Sequence, residues 1–394
     1  MQRQVPQPVL RAADRHERRG GRDVLDMVFK RERAQPGMDG GAAHVTENEG
    51  QLSPARKRGR LVPIPVIAGV LAVIGSAALV VFLTGYRGAT HTASVTVPVS
   101  KNPFGVALDA GTRTVYVTNS GDNTVSVIDG STRAVAATVP VGKKPEGVAL
   151  DPGTHTVYVA NSEDNTVSVI DGSKRTVTAT MPVGKSPEGV AVDPGTHTVY
   201  VANRGDNAVS VIDGSTRAVA ATVPVGKNPG AVAVDPGTHT VYVANREDNT
   251  VSVIDGPTRT LAATAWAGIY PDGVAVDPGT HTVYVANSGN ATVSVIDGST
   301  HTVTATVHVG GRPLGVAVDP NTHTVYVTDS HGWTVSVIDG RKNTVTATMA
   351  EKPRDIRRVE FGGMAPWGLA VDPGSHTVYV TNRGDHSVWV IERR

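Results

Sequence analysis

The side chains able to do chemistry in this 394-residue chain fall into two periodic sets, one constant and one changing. The constant set is His155, His197, His239, His281, His323 and His376, with Arg113 at the first occurrence. Imidazoles at a fixed spacing invite a metal-ring reading, because neutral histidine is a common metal ligand. Distance argues against it, since equivalent positions in neighbouring repeats stand roughly 10 Å or more apart when strands are spaced at ~4.8 Å. Zinc ligands must all reach the ion at about 2 Å. These histidines therefore read as exposed turn residues that begin a strand. The changing set is Phe104, Glu146, Glu188, Gly230, Asp272, Leu314 and Trp367, each directly after a proline. Its carboxylates, Glu146, Glu188 and Asp272, are oxygen ligands of the kind a hard cation such as Ca²⁺ takes. Aromatic and arginine side chains there, with Tyr270 and Arg312 on adjacent tips, are typical binding anchors. Lys101, Lys143, Lys185 and Lys227 occupy similar tips.

Much other chemistry is excluded. The chain has no cysteine, which removes disulfides, Cys-ligated zinc, iron–sulfur clusters and covalently attached haem. No phosphate-binding loop, HExxH, GxSxG or dinucleotide fingerprint is present. The net charge of +1 hides an asymmetry: residues 1 to 60 carry 13 Lys and Arg against 8 Asp and Glu, and the remainder is acidic. An acidic body argues against a nucleic-acid partner, which needs a positive footprint.

The elements that position both sets follow from the repeat. Val-Tyr-Val recurs at Tyr116, Tyr158, Tyr200, Tyr242, Tyr284, Tyr326 and Tyr379, spaced by 42 residues five times and then by 53. One unit, Gly147 to Glu188, contains four β-branched runs separated by turn residues. Four short strands in about 40–45 residues match one blade of a β-propeller. The inner runs VYVAN and TVSVI are continuously apolar, as a sheet covered on both faces requires. Prolines 140, 182 and 224 fall in the fourth run, which places that strand at the edge. The entering segment SVTVPV, Ser94 to Val99, aligns with the fourth runs, and the chain ends after a third run, SVWVI. The prediction is an all-β, seven-bladed propeller spanning 94–394, closed by its N-terminal strand. The constant DPGTH-like and DGSTR-like turns lie on one face and the changing tips on the other. The 53-residue interval adds eleven residues within Met349 to Trp367 on the changing face, bringing Arg354, Arg357, Arg358 and Phe361. Insertions in repeat arrays fall preferentially on a binding face.

The motifs VYVTN at Val115 to Asn119 and Val378 to Asn382, VYVAN in four other repeats and the recurring TVSVIDG resemble the YVTN-repeat β-propeller family of prokaryotic cell-surface proteins. That family is similar to surface-layer and adhesion-type proteins, and more distantly to seven-bladed lactonases and to propeller subunits beside redox enzymes. The resemblance implies the fold more strongly than a function, because one fold hosts many activities.

Leu61 to Tyr86 contains no charged residue, long enough to cross ~30 Å of hydrocarbon as a helix. Basic residues at 56–60 on one side, against Arg87 alone on the other, orient the N-terminus to the cytoplasm. A cleaved signal peptide is the rival, with Met38 as an alternative start. The predicted organisation is a disordered basic cytoplasmic tail over 1–60, a transmembrane helix over 61–86, a linker over 87–93 and an extracellular propeller. The expected function is a membrane-anchored surface module binding a protein or cell-wall glycan. It is not read as an enzyme, and no cofactor is expected apart from Ca²⁺ at the channel mouth. An architectural coat protein and a lactonase-like, metal-dependent hydrolase at that mouth are the alternatives. The candidate ligand-binding residues are Phe104, Glu146, Glu188, Tyr270, Asp272, Arg312, Leu314, Arg357, Arg358 and Trp367.

Overall fold

The computed structural model describes residues 91–350 and 365–393. The predicted tail and membrane helix lie outside the described residues. Within them the chain forms 28 strands, β1 to β28, arranged as seven four-stranded antiparallel sheets. Blade 2 is representative: β6 (Pro145–Asp151), β7 (Thr156–Asn161), β8 (Thr166–Asp171) and β9 (Thr176–Pro182) pair in sequence order. Blades 1 to 6 span 103–140, 145–182, 187–224, 229–266, 271–308 and 313–350.

Burial explains why these residues make these strands. The two middle strands are buried at almost every position, because neighbouring sheets cover both faces. Seven apolar clusters form between blades, such as Tyr116, Val125, Val127, Val157, Val159 and Ile170. Each fully buried Val or Ile is worth about 1.5–3 kcal/mol. The outer strand β9 is exposed except at Ala179 and Met181, so its proline faces solvent.

Two polar devices tie neighbouring blades together. The buried tyrosine of one blade reaches the turn glycine of the following one: Tyr116 Oη donates to the Gly172 carbonyl and Tyr242 Oη to that of Gly298. A side chain at Gly172 would stand 2.7 Å from that hydroxyl, which is why the turn reads Asp-Gly. The second device corrects the reading of the histidines as simple exposed turn residues. Each imidazole Nδ1 lies 2.6–2.7 Å from the carboxylate ending the first strand of the preceding blade: His155 on Asp109, His197 on Asp151, His239 on Asp193, His281 on Asp235, His323 on Asp277 and His376 on Asp319. The histidines adopt left-handed backbone, φ 52–57°, which turns the ring toward that neighbour. Burial pushes the Asp109 carboxyl up, yet the hydrogen bonds from His155 and Thr112 outweigh it and hold the group below its ordinary value.

Blade 7 is closed by both chain ends. β26 (Pro366–Asp372), β27 (Thr377–Asn382) and β28 (Ser387–Arg393) need a fourth strand, supplied by β1 (His91–Pro98). β1 runs antiparallel to β28, with Val97 opposite Val388 and His91 opposite Arg393. An ion pair between Arg133 of blade 1 and Glu392 of blade 7 spans the same junction, where Arg113 replaces the histidine.

Candidate functional site: the mouth of the central channel

Each first strand opens at a proline, and the ladder to its neighbour then slips by one residue. In blade 1 Pro103 faces Asn119, but Val106 faces Val117, so Phe104 and Gly105 together oppose Thr118. A bulge of this kind re-aims side chains out of the regular pleat. The glycine after the changing residue is dictated by packing, since a Cβ on Gly105 would stand 2.6 Å from the Glu146 carbonyl of the next blade. Blade 4 inverts the order, with Gly230 at the changing position and Ala231 after it.

The changing residues divide the mouth into two sectors. Blades 6, 7 and 1 contribute Leu314, Trp367 and Phe104, a continuous apolar arc. Blades 2 to 5 contribute Glu146, Glu188, Gly230 and Asp272, an acidic arc with one gap. Between the arcs lies a cavity of about 180 Å³, lined by Phe104, Glu188, Gly230, Asp272, Leu314 and Trp367 and the small residues after them. The predicted residues Phe104, Glu188, Asp272, Leu314 and Trp367 are thus brought together. Glu146 does not line the cavity; it is buried beside it, 3.3 Å from Lys144 Nζ. Tyr270 is exposed on the rim, and the Arg312 charge reaches Asp272 from outside the cavity. Arg357 and Arg358 lie outside the described residues.

Three arginines belong to the site that the sequence reading did not select. Arg204 Nη1 is 3.2 Å from Glu188 Oε2, and Arg246 Nε is 3.2 Å from Asp272 Oδ1. The Arg383 guanidinium stacks over Trp367 at 4.8 Å and Phe104 at 5.6 Å, and those two rings meet at 5.0 Å. Such contacts add an electrostatic attraction to apolar burial. A signal for them existed: the residue after the asparagine or aspartate ending each second strand is Ser in blades 1, 2, 5 and 6 and Arg in blades 3, 4 and 7, on the same face as the changing tips.

The electrostatics follow from enclosure. Burial, then the charges of Glu146 and Asp272, push the Glu188 carboxyl up to about 7, against the pull of Arg204 and Arg246. Its side chain is still 22% exposed and faces the cavity. Burial also raises Asp272, moderated by Ser288, Arg246 and Arg312. Asp272 Oδ2 is buried, and the Ser288 hydroxyl beside this carboxylate also donates to the Tyr270 carbonyl. Arg383 is lowered by its own burial, partly offset by Glu146. Glu188 and Asp272 are the carboxylates available to a cation, and each already holds a guanidinium.

The apolar arc is pinned by threonines. Thr328 Oγ1 accepts from the Gly315 N–H and donates to the Trp367 carbonyl at 2.8 Å. Thr381 Oγ1 accepts from the Gly368 N–H and donates to the Phe104 carbonyl at 2.8 Å. Thr118 does the same for Glu146. Blades with VYVAN have alanine at that position and lack the bridge.

No protein-family model matches the chain, and no curated protein does. Among solved structures, Kuenenia stuttgartiensis hydrazine synthase is similar, with a TM-score of 0.65 and 20% identity over 78% of this chain and 99% of that chain. At that identity the likeness is one of fold.

Proposed function

We propose that this protein is a membrane-anchored, cell-surface β-propeller of the YVTN-repeat type that binds a surface protein or cell-wall glycan at its channel mouth. The observation that carries the reading is the division of one ring of equivalent positions into an apolar arc and an acidic arc around a cavity. Turn chemistry alone explains the constant face; it does not explain why Phe104, Trp367 and Leu314 fall in consecutive blades. Concave sites with an apolar lining and a few placed polar groups are where ligands bind. The rim adds exposed Trp266, Ile269 and Tyr270 in the blade 4–5 connection, where the connections after blades 1 to 3 carry proline and lysine.

The test is capture of surface proteins and wall glycans by the full-length chain, beside variants carrying Trp367→Ala or lacking residues 350–360. A partner retained by the wild type and lost from the Trp367 variant supports the reading. Self-association with no other partner favours an architectural coat protein. A hydrolase reading draws on Glu188, whose carboxyl near 7 suits a general acid or base. Chelator-sensitive lactone hydrolysis lost on Glu188→Gln would establish it.

A further inference from the structure

We propose that the channel-mouth cavity takes one neutral sugar ring at the end of a glycan. The ring's C–H face packs on the arc of Leu314, Trp367 and Phe104, and its hydroxyls donate to Glu188 and Asp272. This inference rests on the binding reading above and narrows its ligand to a chemical class.

Size is the first argument. A cavity of about 180 Å³ is smaller than the roughly 300–1,000 Å³ of pockets that enclose drug-sized molecules. It suits a single ring presented from a longer chain. Charge is the second. Each carboxylate of the acidic arc already faces a cation: Glu146 with Lys144, Glu188 with Arg204 and Asp272 with Arg246. An ammonium ligand therefore meets little uncompensated negative charge, and a carboxylate ligand finds Arg204 and Arg246 already engaged. Hydrogen-bond acceptance is the third. An ionised carboxylate accepts through both oxygens. Arg246 engages Asp272 Oδ1, on a side chain that is 14% exposed and lines the cavity. Arg204 engages Glu188 Oε2, while Oε1 leans over Gly230, 3.6 Å from where a Cβ would stand. Hydroxyls donate to the exposed edges of both carboxylates without importing charge, and a hydrocarbon ligand would cover them unpaired.

Gly230 is the opening through which this arrangement works. A Cβ there would make only ordinary contacts, 3.6 Å to Glu188 Oε1 and 4.0 Å to the Asp272 carbonyl oxygen. The fold does not require glycine at 230, and blade 6 carries leucine at the equivalent place. Gly230→Leu therefore fills the cavity and spares the ring.

The experiment is saturation-transfer NMR on the full-length chain in detergent. The probes are glucose, galactose, mannose and N-acetylglucosamine, with n-butylammonium and butyrate as charged controls. The expected result is transfer to at least one sugar, at least tenfold weaker binding in Gly230→Leu with thermal unfolding unchanged, and weaker binding in Asp272→Leu. The Asp272 variant serves alone if the Gly230 variant does not fold. Silence from all four sugars, sugar signals that survive the variants, or binding of the ammonium or butyrate in their place would overturn the proposal. A surface protein captured by the wild type and lost on Gly230→Leu, with all sugars silent, defeats the sugar assignment and leaves the mouth as the binding face. Capture indifferent to both Gly230→Leu and Trp367→Ala sinks the broader reading as well.

Discussion

Glu188 is the residue in which environment changes chemistry most. Unfolded, it loses its proton near the ordinary value of 4.5; folded, near 7. Between those values the native state holds more proton than the unfolded chain, so this group's contribution to stability falls as pH rises through that window. Below it both states are protonated, and above it the penalty is constant. Glu188→Gln should flatten the fall in denaturation midpoint between about pH 4.5 and 7 relative to wild type. Parallel wild-type and variant curves would contradict the assignment. The tyrosines behave oppositely in consequence: burial pushes Tyr200, Tyr242 and Tyr284 up to about 12, so their hydroxyls stay protonated at any ordinary pH.

At the scale of the element, a blade is a standard sheet whose identity lies in what it offers the next blade. His239 holds Asp193 across one junction, and the carboxylate is only 1% exposed. His239→Ala takes one of two donors from Asp193 Oδ2, leaving the Thr196 hydroxyl, a loss of about 1 kcal/mol that urea unfolding would register. His239→Asn at the same left-handed position should lose less, because the amide can still donate. The threonines make a subtler case. Thr381→Ala and Thr328→Ala convert those blades to the alanine form found elsewhere, so the fold survives. Each should cost about 1 kcal/mol for the lost hydroxyl bridge. If the bridges position the apolar arc, sugar or partner binding at the mouth falls further in these variants than in Thr118→Ala, whose bridge holds Gly105 beside Phe104 but ends on Glu146.

At the scale of the molecule, closure joins residues nearly 300 positions apart in sequence. β1 covers the edge of β28, and Val97 is buried against Val115, Ile128, Val388 and Val390 where blades 7 and 1 meet. Removing residues 91–98 exposes a strand edge and part of that cluster. The chain should then unfold at lower temperature and aggregate, as an uncovered edge does. Moving the same segment to the C-terminus by circular permutation should restore the wild-type melt, because the strand is needed and its place in the chain order is not. A truncated ring that melts like the intact one would show that β1 is dispensable.

The sequence alone determined what period and composition encode. Seven Val-Tyr-Val marks count the blades, proline in the fourth run assigns the edge, and SVTVPV in the register of a fourth run foretells β1. Seven tips that change after a constant proline locate the mouth, and five of the residues chosen there line one cavity. These features are legible because each depends on contacts within one repeat, at fixed spacing. What only the tertiary structure decided lies between repeats. His155 meets Asp109 from 46 residues away, and Thr381 meets Phe104 from 277. Arg204 and Arg246 find their carboxylates, and Arg383 its aromatic rings, only once the blades stand around a common axis. Period within a blade is written locally, whereas partners across blades are chosen by the closure of the ring, which sets the distance and facing of every neighbouring sheet at once.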